Sequence, residues 1–544
     1  MKNNILKGII KWLVSLVIIA LSYWFMLPPI NWRSREFWTF LIWSVIVCVA
    51  INAFTQIFDF IKANVGKKIK IDSKTHLNLS ALGAPIKFAV ITIVAIIVLS
   101  GVASIIGAEI FNAKSYNNLI KISDGDFTED VAEINMDQIP IVDRDTASRL
   151  AQRKLGEMSD LVSQFEIEDI YTQINYRGKP VRVTPLIYGD IIKWLNNQKQ
   201  GIPAYITIDM TTQETSLVRL EKGIKYSESE YFMRDLNRAL RFKYPTKIFG
   251  DISFEIDDDG TPYWVASTVT YRIGVWSGQD INGAVLLNAV TGESKYYALK
   301  DIPTWVDQVF ESDMVIQQLV YNGKYRSGFW NSVFGQRGVL QPTDGYNYLA
   351  IDDDVYLYTG MTSVTSDESN VGFVLTNLRT KETKFYAIPG AEEYSAMSSA
   401  EGQVQHLNYT STFPLLLNVS NRPTYFMSLK DAAGLVKMYA FVDVNQYQIV
   451  GTGNSVEAAQ SDYISKLKDE NVSEDIKPET VSGVIEKINA VVIEGNTVYY
   501  IKLQDNDAIY TAKVTVSDML PFTEKGTEVT LTLNGTTVTE IKYK

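Results

Sequence analysis

The stretch Phe88–Ala108, FAVITIVAIIVLSGVASIIGA, decides the architecture. It is uncharged throughout and rich in Ile, Val and Ala, and as a helix it is long enough to cross a hydrocarbon core about 30 Å thick. Two earlier runs qualify in the same way, Trp12–Ile30 and Phe37–Phe58. A charge at the centre of such a helix costs roughly 2.5–3.5 kcal/mol, and none occurs in the three runs. Residues 1–108 therefore read as a membrane anchor with three transmembrane helices. The first run follows Lys2, Lys7 and Lys11 as a signal peptide would. It has no small-residue cleavage site and ends in Leu27-Pro28-Pro29, so it reads as retained.

Charge sets the expected orientation. Up to Ala108 there are eleven Lys and Arg against three Asp and Glu, a net +8, whereas the remainder carries −19. Lys62, Lys67, Lys68, Lys70, Lys74 and Lys87 crowd the loop after the second run, while the first loop holds only Arg33 and Arg35. Positive loops stay in the cytoplasm, so the N-terminus is expected inside a multi-pass cell-membrane protein and residues 109–544 outside. Trp32 and Trp38 read as interfacial anchors, and Ala103 with Gly107 as a small-xxx-small pair for helix packing. An acidic soluble part argues against nucleic-acid binding.

The exported chain divides into a polar connector (109–144), a periodic region (145–467), a charged linker (468–480) and a strongly alternating tail (481–544). In the periodic region a helix, a hairpin and an apolar strand ending in a polar turn recur. The first helix is expected to be capped by Asp145 or Thr146, the second to span Ser227–Arg241, and Arg272–Asn282 to be an inserted loop. The closing turns are Thr211-Thr-Gln-Glu214, Thr291-Gly-Glu293 and Thr380-Lys-Glu382, and the fourth round lacks one. The tail has turns at Glu494-Gly-Asn496 and Asn534-Gly535, and five or six short strands there predict a small β-barrel of OB or SH3 type. The expected class is a membrane-anchored α+β protein with tandem helix-plus-antiparallel-sheet modules.

The run Gly260-Thr-Pro-Tyr-Trp-Val, followed by Ala284-Val-Leu-Leu-Asn-Ala-Val-Thr-Gly-Glu293, resembles a PepSY-type module. In that family a helix packs on a small antiparallel sheet, and an apolar strand running into a Thr-Gly-Glu turn closes the unit. The resemblance extends over about 145–470 in degenerate copies. It implies a location outside the membrane and an inhibitory or protein-binding role without catalysis.

The residues that carry chemistry are few. The only cysteine, Cys48, lies in an apolar run, and the histidines are only His76 and His406. Thiolate metal sites are thereby excluded from the soluble part, and most zinc and Ser-His-Asp arrangements with them. Asp257-Asp-Asp259-Gly260 and Asp352-Asp-Asp354 offer oxygen ligands for calcium, but an EF-hand loop starting at Glu255 would place Ala266 at its bidentate position. The first triplet is better read as a hairpin turn. No cofactor, metal or catalytic residue is expected. Tyr325–Gly338 holds aromatics and arginines bracketed by glycines, and Phe329, Trp330, Phe334 and Arg337 are the candidate partner contacts. The expected function is a non-enzymatic extracytoplasmic scaffold, sensor or regulator that sits in a lipid bilayer and binds another envelope protein. The alternatives are a hydrolase acting on wall polymer and a structural subunit of a membrane complex.

Overall fold

Helix α1 (Lys2–Met26) ends before the predicted Ile30. Leu27 turns into the left-handed region (φ 47) and two prolines follow, neither of which has an N–H to continue the helix. Helix α2 (Arg35–Asn64) contains the second apolar run, and α3 (Ala84–Ile106) holds the third except for Gly107 and Ala108. The windows Ile9–Met26 and Ala89–Ile106 are long and apolar enough to cross a membrane. This computed structural model describes residues 2–64, 84–133, 139–364, 369–469 and 479–544, except 494, 495, 505, 507, 518 and 535. Lys67, Lys68, Lys70 and Lys74, most of the linker 468–480 and parts of the turns at 494–496 and 534–535 lie outside the described residues.

After α3 the chain turns at Gly107 into α4 (Glu109–Asn117), with the Tyr116 hydroxyl donating to the Gly107 carbonyl at 2.7 Å. Within the segment read as a connector, the strand Ile122–Asp124 pairs in parallel with Thr383–Phe385. A short helix, α5 (Phe127–Asp130), is capped by Asp126.

Four helix-and-sheet groups follow. The first has α6 (Arg144–Gly156) and the strands Phe165–Ile167 and Thr172–Tyr176, both paired along Lys179–Tyr188. After α7 (Ile191–Asn197) it adds Ile202–Asp209 and Thr215–Ile224. The second has α8 (Leu236–Lys243) and the antiparallel meander Ile248–Ile256, Pro262–Ile273, Ser277–Asn288, Ser294–Ala298. The third has α9 (Ser312–Lys324), with Leu340–Pro342 and Asn347–Ile351 on Asp354–Ser363, then Ser369–Asn377 and Thr383–Tyr386. The fourth has α10 (Glu393–Gln403), with Thr410–Ser411 and Leu415–Val419 on Arg422–Lys430. One core, including Trp264, Phe254 and Tyr205, joins the first two sheets, and another, including Phe310, Leu357 and Val374, joins the second and third.

The same turn closes the first three sheets. Asp209 accepts from the N–H groups of Thr211 and Thr212, Asn288 from Val290 and Thr291, and Asn377 from Arg379 and Thr380, all within 3.0 Å. One residue later Gln213, Gly292 and Lys381 take positive φ. Glu214, Glu293 and Glu382 then donate their N–H to a threonine hydroxyl two residues back. An Asx side chain that mimics a backbone turn explains the shared polar ending. In the fourth group Asp443 accepts from the Gln446 N–H at 2.8 Å but also binds Arg422.

Three local expectations are corrected. Asp143, not Asp145 or Thr146, caps α6 by accepting from the Thr146 N–H, because its extended backbone leaves the side chain facing the first turn. Ser227–Arg234 does not begin α8. Ser227 forms a bridge with Asp235, Phe232–Arg234 is a single 3-10 turn, and Asp235 is the cap. Arg272–Asn282 is not a loop but the tip of a hairpin whose two strands each run 12 residues.

That tip meets the N-terminal helices. A Cβ on Gly107 would collide with Ser277, and Gly274 sits against the Gly107 backbone, so the small residue serves a hairpin rather than the helix expected from its spacing. Arg33 donates to the Tyr271 carbonyl at 3.2 Å. The Ile30 N–H donates to the Pro245 carbonyl at 2.6 Å and Arg241 Nε to the Leu27 carbonyl at 2.8 Å.

A second unit comprises residues 438–441 and 449–544. Here α11 (Val456–Asp469) packs on Val450–Gly453, and Tyr463 stacks on Phe441 at 6.1 Å. The tail forms a closed barrel ordered Glu479–Ile493, Asn496–Leu503, Ile509–Lys513, Thr537–Tyr543, Glu528–Asn534. Its core, including Ile485, Ile501, Leu520 and Leu531, is its own. A fragment of residues 479–544 is therefore expected to melt cooperatively, and Leu531→Ala to cost it about 2–5 kcal/mol by denaturant unfolding. A fragment without a cooperative transition would contradict a self-contained barrel.

Candidate functional site

The four residues singled out in Tyr325–Gly338 have different environments. Tyr325, at the end of α9, is buried and donates its hydroxyl to Glu109, which also pairs with Lys324 at 3.2 Å. Phe329, half-buried, stacks on Tyr325 at 6.2 Å; Trp330 meets it edge-on at 5.4 Å, and Phe334 stacks on Trp330 at 5.9 Å. The turn Asn331–Gly335 is π-helical and is tied by the Gln336 N–H to the Asn331 carbonyl at 2.6 Å. Trp330 is 63% exposed and Phe334 78% exposed, and Arg337 is also exposed. The three rings thus form one ladder that starts in the protein and ends outside it. Trp330→Ala should shift the melting temperature little, whereas Trp264→Ala, at 1% exposure, should cost about 3–5 kcal/mol. Equal losses in thermal unfolding would overturn this assignment.

A second feature was not singled out in the sequence. Arg182, on Lys179–Tyr188, is buried, and burial lowers its pKa to about 10. It donates to the Tyr171 carbonyl at 3.1 Å and to Gln173 Oε1 at 3.4 Å, and its Nε has no partner. Tyr348 and then Asp143 act on it electrostatically, and Asp143 is engaged by Lys430. Burying an unpaired charge costs several kcal/mol. Arg182 lines two cavities at once. One of about 270 Å³ includes Asp143, Tyr346, Phe413 and Met427. The other, about 460 Å³, includes Asp251, Glu311, Asp313 and Tyr346. Burial raises the pKa of Glu311, whose carboxylate accepts from the Asp251 N–H at 2.7 Å. A larger groove of about 810 Å³ runs from Tyr205 and Thr207 to Gly260 and Asn288.

Where the first three sheets meet, two acids are fully buried. Glu255 accepts from Ser253 Oγ and from the N–H groups of Asp307 and Gln308. Asp307 accepts only from the Asn175 N–H, at 2.7 Å, and its Oδ1 has no partner. Burial, and then the charge of Glu255, push the Asp307 carboxyl well above its ordinary 3.8. Burial raises the Glu255 carboxyl as well, against the three hydrogen bonds it accepts. Between pH 3.8 and the raised value the folded chain keeps a proton that the unfolded chain releases, so Asp307 loses stability as pH rises through this window. Asp307→Asn should raise the melting temperature at pH 7, with the gain disappearing in acid below the ordinary carboxylate pKa. A variant less stable than the parent at pH 7 would contradict this.

The acidic triplets have structural partners. Asp257 accepts from the N–H groups of Asp259 and Thr261, and Asp354 pairs with Arg379 at 2.6 Å. No group of three metal-ligating side chains occurs among the described residues. The segment Phe329–Arg337 could be found in the sequence by its aromatic density. Arg182 could not, because an alternating strand with one arginine looks like any half-exposed strand.

No family model matches the chain, and no curated protein matches it. Among solved structures, the crystal structure of an ACO/RPE65 chimera aligns at 9% identity with a TM-score of 0.14. The alignment covers 69% of this chain and 60% of that one, so the chain spans less than two thirds of that structure's length. A likeness at this TM-score carries no argument about fold or function.

Proposed function

We propose that the chain is a non-enzymatic, extracytoplasmic scaffold or sensor that binds another cell-envelope protein in the clefts around Arg182. α1, α2 and α3 all cross the membrane, the N-terminus is cytoplasmic and residues 109–544 lie outside. The charge asymmetry of the loops supports this orientation. The four helix-and-sheet groups are tandem PepSY-like modules, a reading supported by the shared Asx turn at Asp209, Asn288 and Asn377. The terminal barrel is of OB type. Its strand order supports this, as does the parallel pairing of its third and last strands at Thr511 and Thr537.

The observation that carries the binding role is Arg182, a buried guanidinium that forms no ion pair among the described residues and lines two cavities. Its complement is an acidic side chain or C-terminal carboxylate of a partner segment, held by a charge-assisted bidentate pair. A photo-crosslinking residue at Tyr346, which lines both cavities, should yield one main adduct in intact cells. Arg182→Gln should abolish that adduct while Arg182→Lys retains part of it. An adduct unchanged in a folded Arg182→Gln protein, or no adduct at all, would overturn the proposal.

A further inference from the structure

Two apolar patches face the same end of the molecule as the anchor. The first joins α7 to the turn before α8. Ile191, Ile192 (65% exposed), Leu195, Phe232 (66% exposed) and Met233 are open to solvent. They are fixed as one surface by buried Glu230, which accepts from Trp194 Nε1 at 2.8 Å and pairs with Arg234 at 3.3 Å. Phe232 takes φ 55, a backbone conformation that an aromatic residue rarely adopts and that is typical of functional sites. Its carbonyl accepts from Arg238, whose guanidinium lies over the Trp24 ring at 4.5 Å. Phe242 meets Tyr23 and Trp24 at 6.0 and 5.7 Å. Tyr23 and Trp24 belong to the last turn of the apolar window Ile9–Met26, so this patch stands at the level where α1 leaves the hydrocarbon.

The second patch is Trp330, Val333 and Phe334. α9 runs antiparallel to α4. Asn322 bonds to the Asn117 carbonyl at 3.0 Å, whereas Lys324 and Tyr325 meet Glu109, three residues beyond the window Ala89–Ile106. The chain past Tyr325 therefore continues toward the membrane end, where Ile110 and Phe111 on α4 are also exposed.

Four separate segments thus present large apolar side chains close to the ends of helices of membrane-crossing length. Such patches are unusual on a surface that faces water. Aromatic and aliphatic side chains beside a span match the headgroup–acyl boundary. We propose that both patches insert into the lipid interface, so that the first and third modules rest on the bilayer as well as being tethered to it. The proposal rests on the reading that α1 and α3 cross the membrane.

The test uses the full chain with Cys48→Ser, reconstituted in vesicles of phosphatidylcholine and phosphatidylglycerol. Spin labels are placed singly at Met233→Cys and Val333→Cys. Val90→Cys in α3 is the lipid reference, and Asp258→Cys, at the far end of the long hairpin, is the aqueous one. Collisions with oxygen and with an aqueous nickel chelate are compared. The labels at 233 and 333 should follow the one at 90, with oxygen favoured over nickel, the reverse of 258. If they follow 258 while 90 stays in lipid, the insertion proposal falls alone. If they are shielded from both reagents, a protein covers the patches and the lipid assignment is overturned. If the label at 90 follows 258, the membrane-crossing reading fails and takes this proposal with it. Quenching of Trp330 by brominated lipid, read as the difference from Trp330→Phe, gives a second measurement without a label; no difference would count against insertion.

Discussion

The contact between the loop joining α1 to α2 and the second module is the constraint on which the larger unit depends. When α1 stops at Met26, its last carbonyls lose their intrahelical partners. Arg241 supplies one replacement by donating to the Leu27 carbonyl, and a cation at a helix C-terminus is also favoured by the helix dipole. The Ile30 N–H, freed by the preceding prolines, finds the Pro245 carbonyl. On the other side, Gly107 admits the Gly274–Ser277 tip with no side chain between them. The N-terminal helices are thus held to the second module by two arginine side chains, by backbone groups and by glycines close to the helix ends.

The same economy governs the joints between modules. Asn175, Glu255 and Asp307 come from different parts of the chain and share one buried network. In it a backbone N–H fills each lone pair that is filled, except at Ser253. Such a network costs stability unless it is satisfied, and it fixes the relative position of the sheets that carry it. Arg182 lies on the strand that pairs with Thr172–Tyr176, so the strand supplying Asn175 to the acid network also neighbours the unpaired guanidinium. A ligand carboxylate on Arg182 would therefore act on an element already tied to two other modules.

Much of the architecture was legible because it rests on local chemistry. The uncharged runs, the alternating tail and the Thr-x-Glu turns each follow from residues close in sequence. The failures arose where a distant group changed the outcome. Arg272–Asn282 carries Gly274 and Gly278, which read as loop residues. In the fold both positions have positive φ; a Cβ on Gly278 would collide with the Ile273 side chain, and Gly274 lies close against the Gly107 backbone. The helix expected over Ser227–Arg241 starts late because nothing in the sequence shows the pairing of Ser227 with Asp235. Of the candidate site, the aromatic segment was visible by composition. The patch at Ile191, Ile192, Phe232 and Met233 was not, since its members lie about 40 residues apart and are brought together by the buried Glu230 and by ring contacts of Trp194 with Tyr231 and Phe232.

The long hairpin has a geometric consequence. Its strand Pro262–Ile273 has one end at the anchor and the other at the Asp257–Gly260 turn, and 12 residues of strand extend at most about 40 Å. On the membrane-anchored reading the hairpin is a ruler, fixing how far the groove at Tyr205, Gly260 and Asn288 stands off the bilayer. A ligand confined to the headgroups falls short of that groove by most of the ruler's length. Whatever reaches it must rise from the membrane on a stalk or domain of its own, or arrive from the side of the cell wall.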